Sequence, residues 1–285
     1  MRDQTAQRKK AEILLAFHKG PSLLVLPNFW DPLGARILEA KGYPAVATAS
    51  AAVSASLGYA DGEKVSRSTL ISTISRIAES VDVPVTADIE SGYGSTLETL
   101  EETIRQVILS GVAGVNIEDS LKDGGGLRPI AEQCERIFAV RKVGDRQGIH
   151  LVINARVDSF LSNLFSSLQE LVEDAVMRAS AYITAGADCI YPIGPGDATT
   201  IIELRRRISG PLNTLAKPSA APLAVLHHIG INRVSFGPFI FRSCLKKFMD
   251  IIEALQEHTG YECFADQMAS GSDLKPFLIQ EAEGK

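Results

Sequence analysis

The fold is predicted from residues 85–119, which read VTADIESGYGSTLETLEETIRQVILSGVAGVNIED. This stretch begins with a short apolar run, Val85–Ile89, of the kind that forms a buried strand. Apolar residues between positions 97 and 108 then recur with the spacing of one helix face, and Gly111 supplies a stop. A second apolar run follows at Gly114–Glu118. The stretch therefore predicts a strand, a helix and a second strand parallel to the first.

The same unit recurs along the chain. Eight apolar, β-branched runs alternate with helical patterns: Leu23–Pro27, Ala45–Thr48, Val85–Ile89, Gly114–Glu118, Leu151–Ala155, Asp188–Pro192, Leu212–Leu215 and Arg233–Phe236. This alternation predicts a parallel sheet whose strands are buried on both faces. An open doubly wound sheet would alternate in the same way, but the count of eight favours closure, and no GxGxxG follows the first strand. We predict one (β/α)8 TIM-type barrel domain over residues 1–285.

Both ends of the chain are predicted to add helices to this barrel. Residues 1–20 lack the apolar run of a secretory signal, and an amphipathic helix from about Thr5 to Phe17 is the simpler interpretation. Residues 245–285 exceed what the last barrel helix needs. We therefore expect extra C-terminal helices that pack outside the barrel, on the same chain or on a neighbouring subunit.

The composition excludes several classes of partner. A net charge of −5 provides no basic surface for nucleic acid, and no apolar run approaches the roughly 18 residues of a membrane span. The cysteines have no metal-binding spacing and predict reduced thiols: Cys134, Cys189, Cys244 and Cys263. We expect a soluble cytoplasmic protein that acts on a small molecule. An acidic protein that binds an acid must gather positive charge locally, through a metal ion or an arginine.

Acidic side chains follow consecutive predicted strands, at the end of the barrel where active sites lie. Asp88 and Glu90 alternate onto one side of their strand, Glu118 ends the next strand, and Arg156 ends the one after it. Three converging carboxylates repel one another unless a cation compensates them. Mg²⁺ or Mn²⁺ suits such oxygen ligands. The alternative is that these acids pair with lysines or cap the following helices.

Four segments carry a resemblance to a known family. They are PNFWDPLGARILEAKGYPAVATAS at 27–50, PVTADIESGYG at 84–94, GVNIEDS at 114–120 and NARVD at 154–158. Over roughly Leu24 to Phe239 the chain resembles the isocitrate lyase/phosphoenolpyruvate mutase superfamily. The resemblance implies a TIM-type barrel, with C-terminal helices exchanged between the subunits of a homodimer or homotetramer.

The resemblance also implies roles for individual residues. It implies that Asp88, Glu90 and Glu118 form an acidic Mg²⁺ (or Mn²⁺) shell that acts mostly through coordinated waters. It also implies that Ser50 and the backbone at Ala51 bind the substrate, and that Asp61 orients a metal-bound water. Arg156 would bind substrate oxygens, and Asn213 would lie at the far side of the pocket. Tyr93 is a further candidate for substrate contact, with packing as the alternative.

The implied chemistry is shared across the superfamily. A 2-oxo acid chelates the metal, which acts as a Lewis acid and stabilises a pyruvate-like enolate. Cleavage of a C–C or P–C bond leaves that enolate to be reprotonated or recaptured.

Departures from the family pattern narrow the reaction. Glu90 replaces the usual second aspartate. The loop Ser120–Pro129 has neither the Cys nor the His of isocitrate-type lyases, and Ser120 stands where phosphoenolpyruvate mutases have a Lys. The sequence at 192–194, PIG, lacks the glutamate of isocitrate-type lyases. Three glycines make the loop a candidate lid that could bring Lys122 or Arg128 to the substrate, with a plain surface loop as the alternative.

Three functions follow from these patterns. The first is a Mg²⁺-dependent lyase that cleaves a C–C bond in a small 2-oxo or 2-hydroxy (di)carboxylic acid, for example an oxaloacetate decarboxylase or a methylisocitrate-lyase-like enzyme. The second is P–C bond chemistry of the phosphonomutase or phosphonopyruvate hydrolase type. The third is a non-catalytic homologue that binds 2-oxo acids.

Overall fold

Parallel strands form a closed barrel in the computed structural model, which describes residues 4–122, 126–257, 264 and 268–278. The strands are β1 Leu24–Leu26, β2 Asn28–Phe29, β3 Val46–Thr48, β4 Val85–Asp88, β5 Gly114–Glu118, β6 Val152–Val157, β7 Cys189–Pro192, β8 Asn213–Leu215 and β9 Arg233–Ser235. Pro27 separates β1 from β2, because proline has no N–H to donate to a sheet ladder. The two short strands together take the first of the eight predicted positions.

The order of the strands confirms the predicted TIM-type barrel. One run of parallel pairs is β2-β3-β4-β5-β6-β7, and a second is β1-β9-β8. A parallel bridge between Ile190 and Leu212 joins the two runs on one side. The continuity of β1 with β2 closes the other side.

Helices follow the strands and cover the outside of the barrel. They are α1 Gln4–Lys19, α2 Pro32–Ala40, α3 Ser50–Ser56, α4 Arg67–Glu79, α5 Leu97–Leu109, α6 Ile130–Arg146, α7 Leu168–Thr184, α8 Ala198–Arg207, α9 Leu223–Ile229, α10 Phe239–Gln256 and α11 Gly271–Leu274. Helix α5 begins as the sequence predicts, because Thr96 and Thr99 form a reciprocal capping box.

Strand alternation separates the apolar core from the polar interior of the barrel. In β5, Val115 and Ile117 are fully buried in the apolar core, whereas Asn116 lies on the other face of the strand with Glu118. Asn116 accepts a hydrogen bond from Asn154 Nδ2 of β6 at 2.8 Å. The barrel interior therefore carries polar side chains towards its carboxyl end.

The C-terminal region differs in its boundaries from the prediction. Helix α10 runs without a break through position 245, so residues 245–256 continue the helix that follows β9. After it the structure describes α11 and a short 3-10 turn, Lys275–Phe277. The rest of the predicted extension, including Cys263, lies outside the described residues. Among the described residues, no helix combines the length and apolarity required to cross a membrane.

The N-terminal helix α1 places one histidine against the barrel interior. The His18 side chain is fully buried, and its Nδ1 lies 2.8 Å from the carbonyl oxygen of Leu14. Because a carbonyl only accepts, Nδ1 carries the proton and Nε2 is an acceptor. Burial, together with the charge of Arg233, lowers the pKa of His18 from 6.5 to about 4. His18 is therefore neutral in the folded protein at neutral pH.

We expect acid to destabilise the fold through His18. Between pH 6.5 and pH 4 the unfolded chain binds a proton here and the folded chain does not. Stability is therefore complete above pH 6.5, and the free energy of unfolding falls by up to about 3 kcal/mol as the pH is lowered to 4. Urea titrations of wild type and His18→Gln over this range test it. A stability difference between them that is independent of pH would contradict the assignment.

Candidate active site

A small cavity lies at the carboxyl ends of the strands. Its volume is about 160 Å³, and its lining brings together five residues that the sequence singled out: Ser50, Ala51, Asp61, Asp88 and Arg156. They come from the loops and strand ends after β3, α3, β4 and β6. The site is therefore where the chemistry of a TIM-type barrel is expected.

Asp88 ends β4 and binds the first turn of α3. Its Oδ2 accepts hydrogen bonds from the backbone N of Ser50 at 3.1 Å and from Ser50 Oγ at 2.9 Å. The backbone N of Asp88 donates a further hydrogen bond to Thr48 Oγ1 at 2.9 Å. These contacts hold the carboxylate on the cavity wall and orient the Ser50 hydroxyl towards it.

Glu90 does not line this cavity, although it is only two residues from Asp88. Its backbone is left-handed, with φ 52°, and its side chain is almost completely buried. The carboxylate accepts from the backbone N of Glu63 at 2.6 Å, from Tyr93 Oη at 3.0 Å and from Lys122 Nζ at 2.9 Å. Burial raises the pKa of the Glu90 carboxyl.

The loop after α3 and the loop after β4 hold each other through left-handed residues. Glu63 and Tyr93 also have positive φ, at 57° and 53°. Glu63 Oε1 accepts from Ser91 Oγ at 2.6 Å and from the backbone N of Tyr93 at 2.9 Å. Such strained backbone is kept where the surroundings over-determine it, often at functional sites.

Lys122 joins two of the predicted metal ligands. Its Nζ lies 2.9 Å from Glu90 Oε2 and 3.0 Å from Glu118 Oε1. Although burial acts in the opposite direction, the Glu118 and Glu90 carboxylates raise the pKa of Lys122. The ammonium is therefore a counter-charge for both acids, and it faces a separate cleft of about 520 Å³ that Glu63 and Ser91 also line.

Arg156 is held in place by two acids. Its Nη1 lies 2.7 Å from Glu118 Oε2, and its Nε and Nη2 donate to the two oxygens of Asp158 at 2.6 and 2.7 Å. Burial raises the pKa of Glu118 to about 7, although the Arg156 guanidinium opposes this. The bidentate pair with Asp158 orients the guanidinium at the cavity wall.

Two predicted substrate contacts lie away from the cavity lining. Tyr93 donates its hydroxyl to Glu90, and burial raises the pKa of the phenol. Asn213 is fully buried in β8 and donates from Nδ2 to Ser235 Oγ at 3.1 Å. Their roles towards a substrate stay predictions.

The acids at this site suit a metal that is bound largely through water. Among the residues that the structure describes, no group of three His, Cys, Asp or Glu side chains is arranged to ligate an ion directly. Asp88 and Asp61 line the cavity, whereas Glu90 and Glu118 bind cationic side chains. Mg²⁺ keeps several waters and uses one or two protein carboxylates. Asp88 and Asp61 therefore fit such an ion.

Arg242 is a cavity residue that the sequence analysis missed. It lies in the first turn of α10 and lines the same cavity as Asp88 and Arg156. Its side chain has no hydrogen-bond or ion-pair partner within the described ranges. Its position in the sequence, seven residues after the end of β9, is the feature that could have identified it as a cavity residue.

Comparisons with known proteins identify relatives of the chain. The family model described as phosphoenolpyruvate phosphomutase matches residues 14–256. An uncharacterized protein of Mycobacterium tuberculosis (strain H37Rv) is 32% identical over 75% of this chain and 77% of its own length. 2-Methylisocitrate lyase of Bacillus subtilis is 27% identical over 73% and 68%, respectively.

A solved structure shares the fold. Phosphonopyruvate hydrolase, in complex with oxalate and Mg²⁺, superposes with a TM-score of 0.80 over 94% of each chain, at 24% identity. At that identity the likeness supports the barrel architecture alone.

Proposed function

The chain belongs to the phosphoenolpyruvate phosphomutase family, within the isocitrate lyase/phosphoenolpyruvate mutase superfamily, and from this we propose that it is a divalent-metal-dependent lyase. Its substrate is a small 2-oxo or 2-hydroxy dicarboxylic acid, in which it cleaves a C–C bond. The observation that carries the proposal is the cavity of about 160 Å³ that Asp88, Arg156 and Arg242 share. It provides a carboxylate for a metal and a guanidinium for each end of a short diacid.

Each residue of the cavity has a separate role in the proposed reaction. A bound Mg²⁺ would supply Lewis-acid polarisation of the 2-oxo or 2-hydroxy oxygen. Arg156, fixed by Asp158, stabilises negative charge that develops on the substrate oxygens. Ser50 and the backbone at Ala51 bind the substrate carboxylate that lies beside the 2-oxo or 2-hydroxy group. Arg242 binds the distal carboxylate.

Phosphonate chemistry is the second candidate. The family model carries the name of a phosphomutase, and phosphonopyruvate hydrolase shares the fold. The guanidinium of Arg242, which has no partner among the described residues, can bind a phosphonate as readily as a carboxylate. The absence of the lyase Cys and His from the sequence at Ser120–Pro129 also fits this candidate.

A substrate panel separates the candidates. Purified protein is incubated with oxaloacetate, isocitrate, methylisocitrate, dimethylmalate or phosphonopyruvate, once with Mg²⁺ and once with EDTA. Pyruvate, glyoxylate and phosphate are measured together. Metal-dependent pyruvate from a dicarboxylate supports the lyase, whereas turnover of phosphonopyruvate alone supports P–C chemistry. Oxalate binding without any turnover would support a binding homologue and contradict the enzyme.

Replacing Arg242 with glutamine is expected to weaken distal-group recognition. A hydrogen bond to a charged group contributes about 1.5–3 kcal/mol, so kcat/KM for the diacid should fall roughly 10- to 150-fold. Oxalate has no distal group beyond the metal-binding end, and its Kd should change little. Lys247→Gln removes an exposed cation from the same helix and is the matched control. An equal loss in both variants would contradict the assignment.

We also propose a homodimer or homotetramer in which α10 packs on a second copy. None of the α10 residues is buried in the isolated chain. One face of the helix exposes large apolar side chains: Leu245, Phe248, Met249, Ile252 and Leu255. A contiguous exposed apolar face of this kind marks an interaction surface.

The double variant Phe248→Asp/Ile252→Asp is expected to shift the protein towards the monomer. Buried carboxylates at the interface would cost more than the remaining contacts provide. Light scattering coupled to size-exclusion chromatography measures the mass. Lys247→Asp on the same helix is the control for charge alone. A wild-type protein that is already monomeric would contradict the proposal.

A further inference from the structure

A guanidinium without an acidic partner lies inside the barrel, beneath the cavity. Arg233 begins β9 and is fully buried. Its three contacts are neutral: Nε donates to Ser235 Oγ at 3.2 Å, Nη2 to Asn116 Oδ1 at 3.3 Å, and Nη1 lies 3.5 Å from His18 Nε2. Within the described ranges no carboxylate forms an ion pair with it, and the Asp88 carboxylate of the cavity attracts it only from a longer distance. A buried charge that is left uncompensated is costly, so its retention requires a reason.

His18 contributes an acceptor and no charge. Its Nδ1 proton is used on the Leu14 carbonyl, which leaves the Nε2 lone pair facing Arg233. The low pKa of His18 agrees with this tautomer. His18 therefore does not neutralise the positive charge of Arg233.

The contacts of Arg233 lead directly to the cavity. Asn116 and Ser235 both line it, so the guanidinium is one side chain away from a ligand. Asn116 Oδ1 accepts from Arg233 and also from Asn154 Nδ2. A guanidinium only donates, so the Asn116 oxygen must face Arg233 and the amide NH₂ is left for the cavity side.

We propose that Arg233 is a positioning residue for the anionic ligand of the cavity. Its charge beneath the floor attracts the anion, and its hydrogen bond fixes Asn116 with the amide NH₂ as a donor to that anion. This inference rests on the proposed function, since it concerns the acid that the cavity binds. It goes further by making the affinity depend on a cation that never touches the ligand.

A change at His18 tests the charge without altering the cavity. Gln and Glu at position 18 have the same length, but only Glu pairs with Arg233 and cancels its charge. Isothermal titration with oxalate (a dianion) and oxamate (a monoanion), both with Mg²⁺, measures binding. We expect wild type and His18→Gln to agree. Relative to His18→Gln, the Glu variant should bind oxalate about tenfold more weakly and oxamate about threefold, because Coulomb energy scales with ligand charge.

A second pair of variants covers the case in which His18→Glu does not fold. Arg233→Lys keeps the charge and should keep the preference for the dianion, whereas Arg233→Met should lose it. A purely structural role would weaken both ligands equally, and that result would overturn the proposal. Wild-type protein that binds no oxalate would instead overturn the proposed function. If wild type binds oxalate, and His18→Glu or Arg233→Met keeps the wild-type ratio of oxalate affinity to oxamate affinity, this inference alone is overturned.

Discussion

Asp88→Ala is expected to lower turnover of the preferred substrate by about a thousandfold or more. Asp88 lines the cavity, and in the proposed function it carries the divalent ion. Loss of Lewis-acid stabilisation costs several kcal/mol in the transition state. The variant should also lose the metal-dependent binding of oxalate. Steady-state kinetics and titration calorimetry measure the two effects.

The fold is expected to survive this change, which makes the result interpretable. Among the described residues, Asp88 Oδ2 accepts two hydrogen bonds from Ser50, and Oδ1 accepts a long one from the backbone N of Glu90 at 3.3 Å. Within that part of the chain, the change therefore removes three hydrogen bonds and no ion pair. Asp88→Asn keeps an acceptor for Ser50 and should also be inactive. Asp82→Ala, an exposed acid before β4, should leave activity unchanged. Substantial turnover by both Asp88 variants would contradict the assignment of Asp88 as a metal ligand.

Arg178→Ala is expected to destabilise the protein by about 3–5 kcal/mol. The nearly buried guanidinium lies 3.1 Å from Asp119 Oδ2 and 2.8 Å from Asp174 Oδ2. It also donates to the carbonyl oxygen of Arg128 at 2.9 Å. Its removal leaves two buried carboxylates without their cation, which is the costly way to break a buried ion pair. Urea unfolding measures the change in the free energy of unfolding.

This network also anchors the loop that carries Lys122. The backbone N of Arg128 donates to the Asp119 carbonyl at 2.7 Å, so Arg178 holds both ends of the loop. Arg146→Ala breaks the exposed pair with Glu101 and should have little effect. A loss of stability in Arg178→Ala no larger than in Arg146→Ala would contradict this account.

The barrel could be predicted from the sequence because its signal is local and repeated. Alternation in Gly114–Glu118 separates Val115 and Ile117, which face the helices, from Asn116 and Glu118, which face inwards. Glycine and proline positions mark where the helices end and where the first strand is divided. The pattern did not show that α10 continues through residue 245, because amphipathic spacing does not mark where a helix passes the edge of the barrel.

Alternation failed at Glu90, and the reason is the backbone. Strand β4 ends at Asp88, and the left-handed conformation of Glu90 takes its side chain out of the two-residue period. Asp88 therefore faces the cavity, and Glu90 turns to Glu63 and Lys122. No pattern in the sequence distinguishes the two acids, because the conformation is imposed by contacts with another loop.

The strands, most helices, the family and the acids at the strand ends could all be inferred from the order of the amino acids. These follow from short-range periodicity and from motifs of neighbouring residues. The folded structure was needed to show that Asp61 and Asp88 share a cavity with Arg242, and that Arg233 lies beneath it without an ion-pair partner among the described residues. These relations join residues far apart in the chain. They depend on closure of the barrel and on side-chain torsions, which a local pattern does not encode.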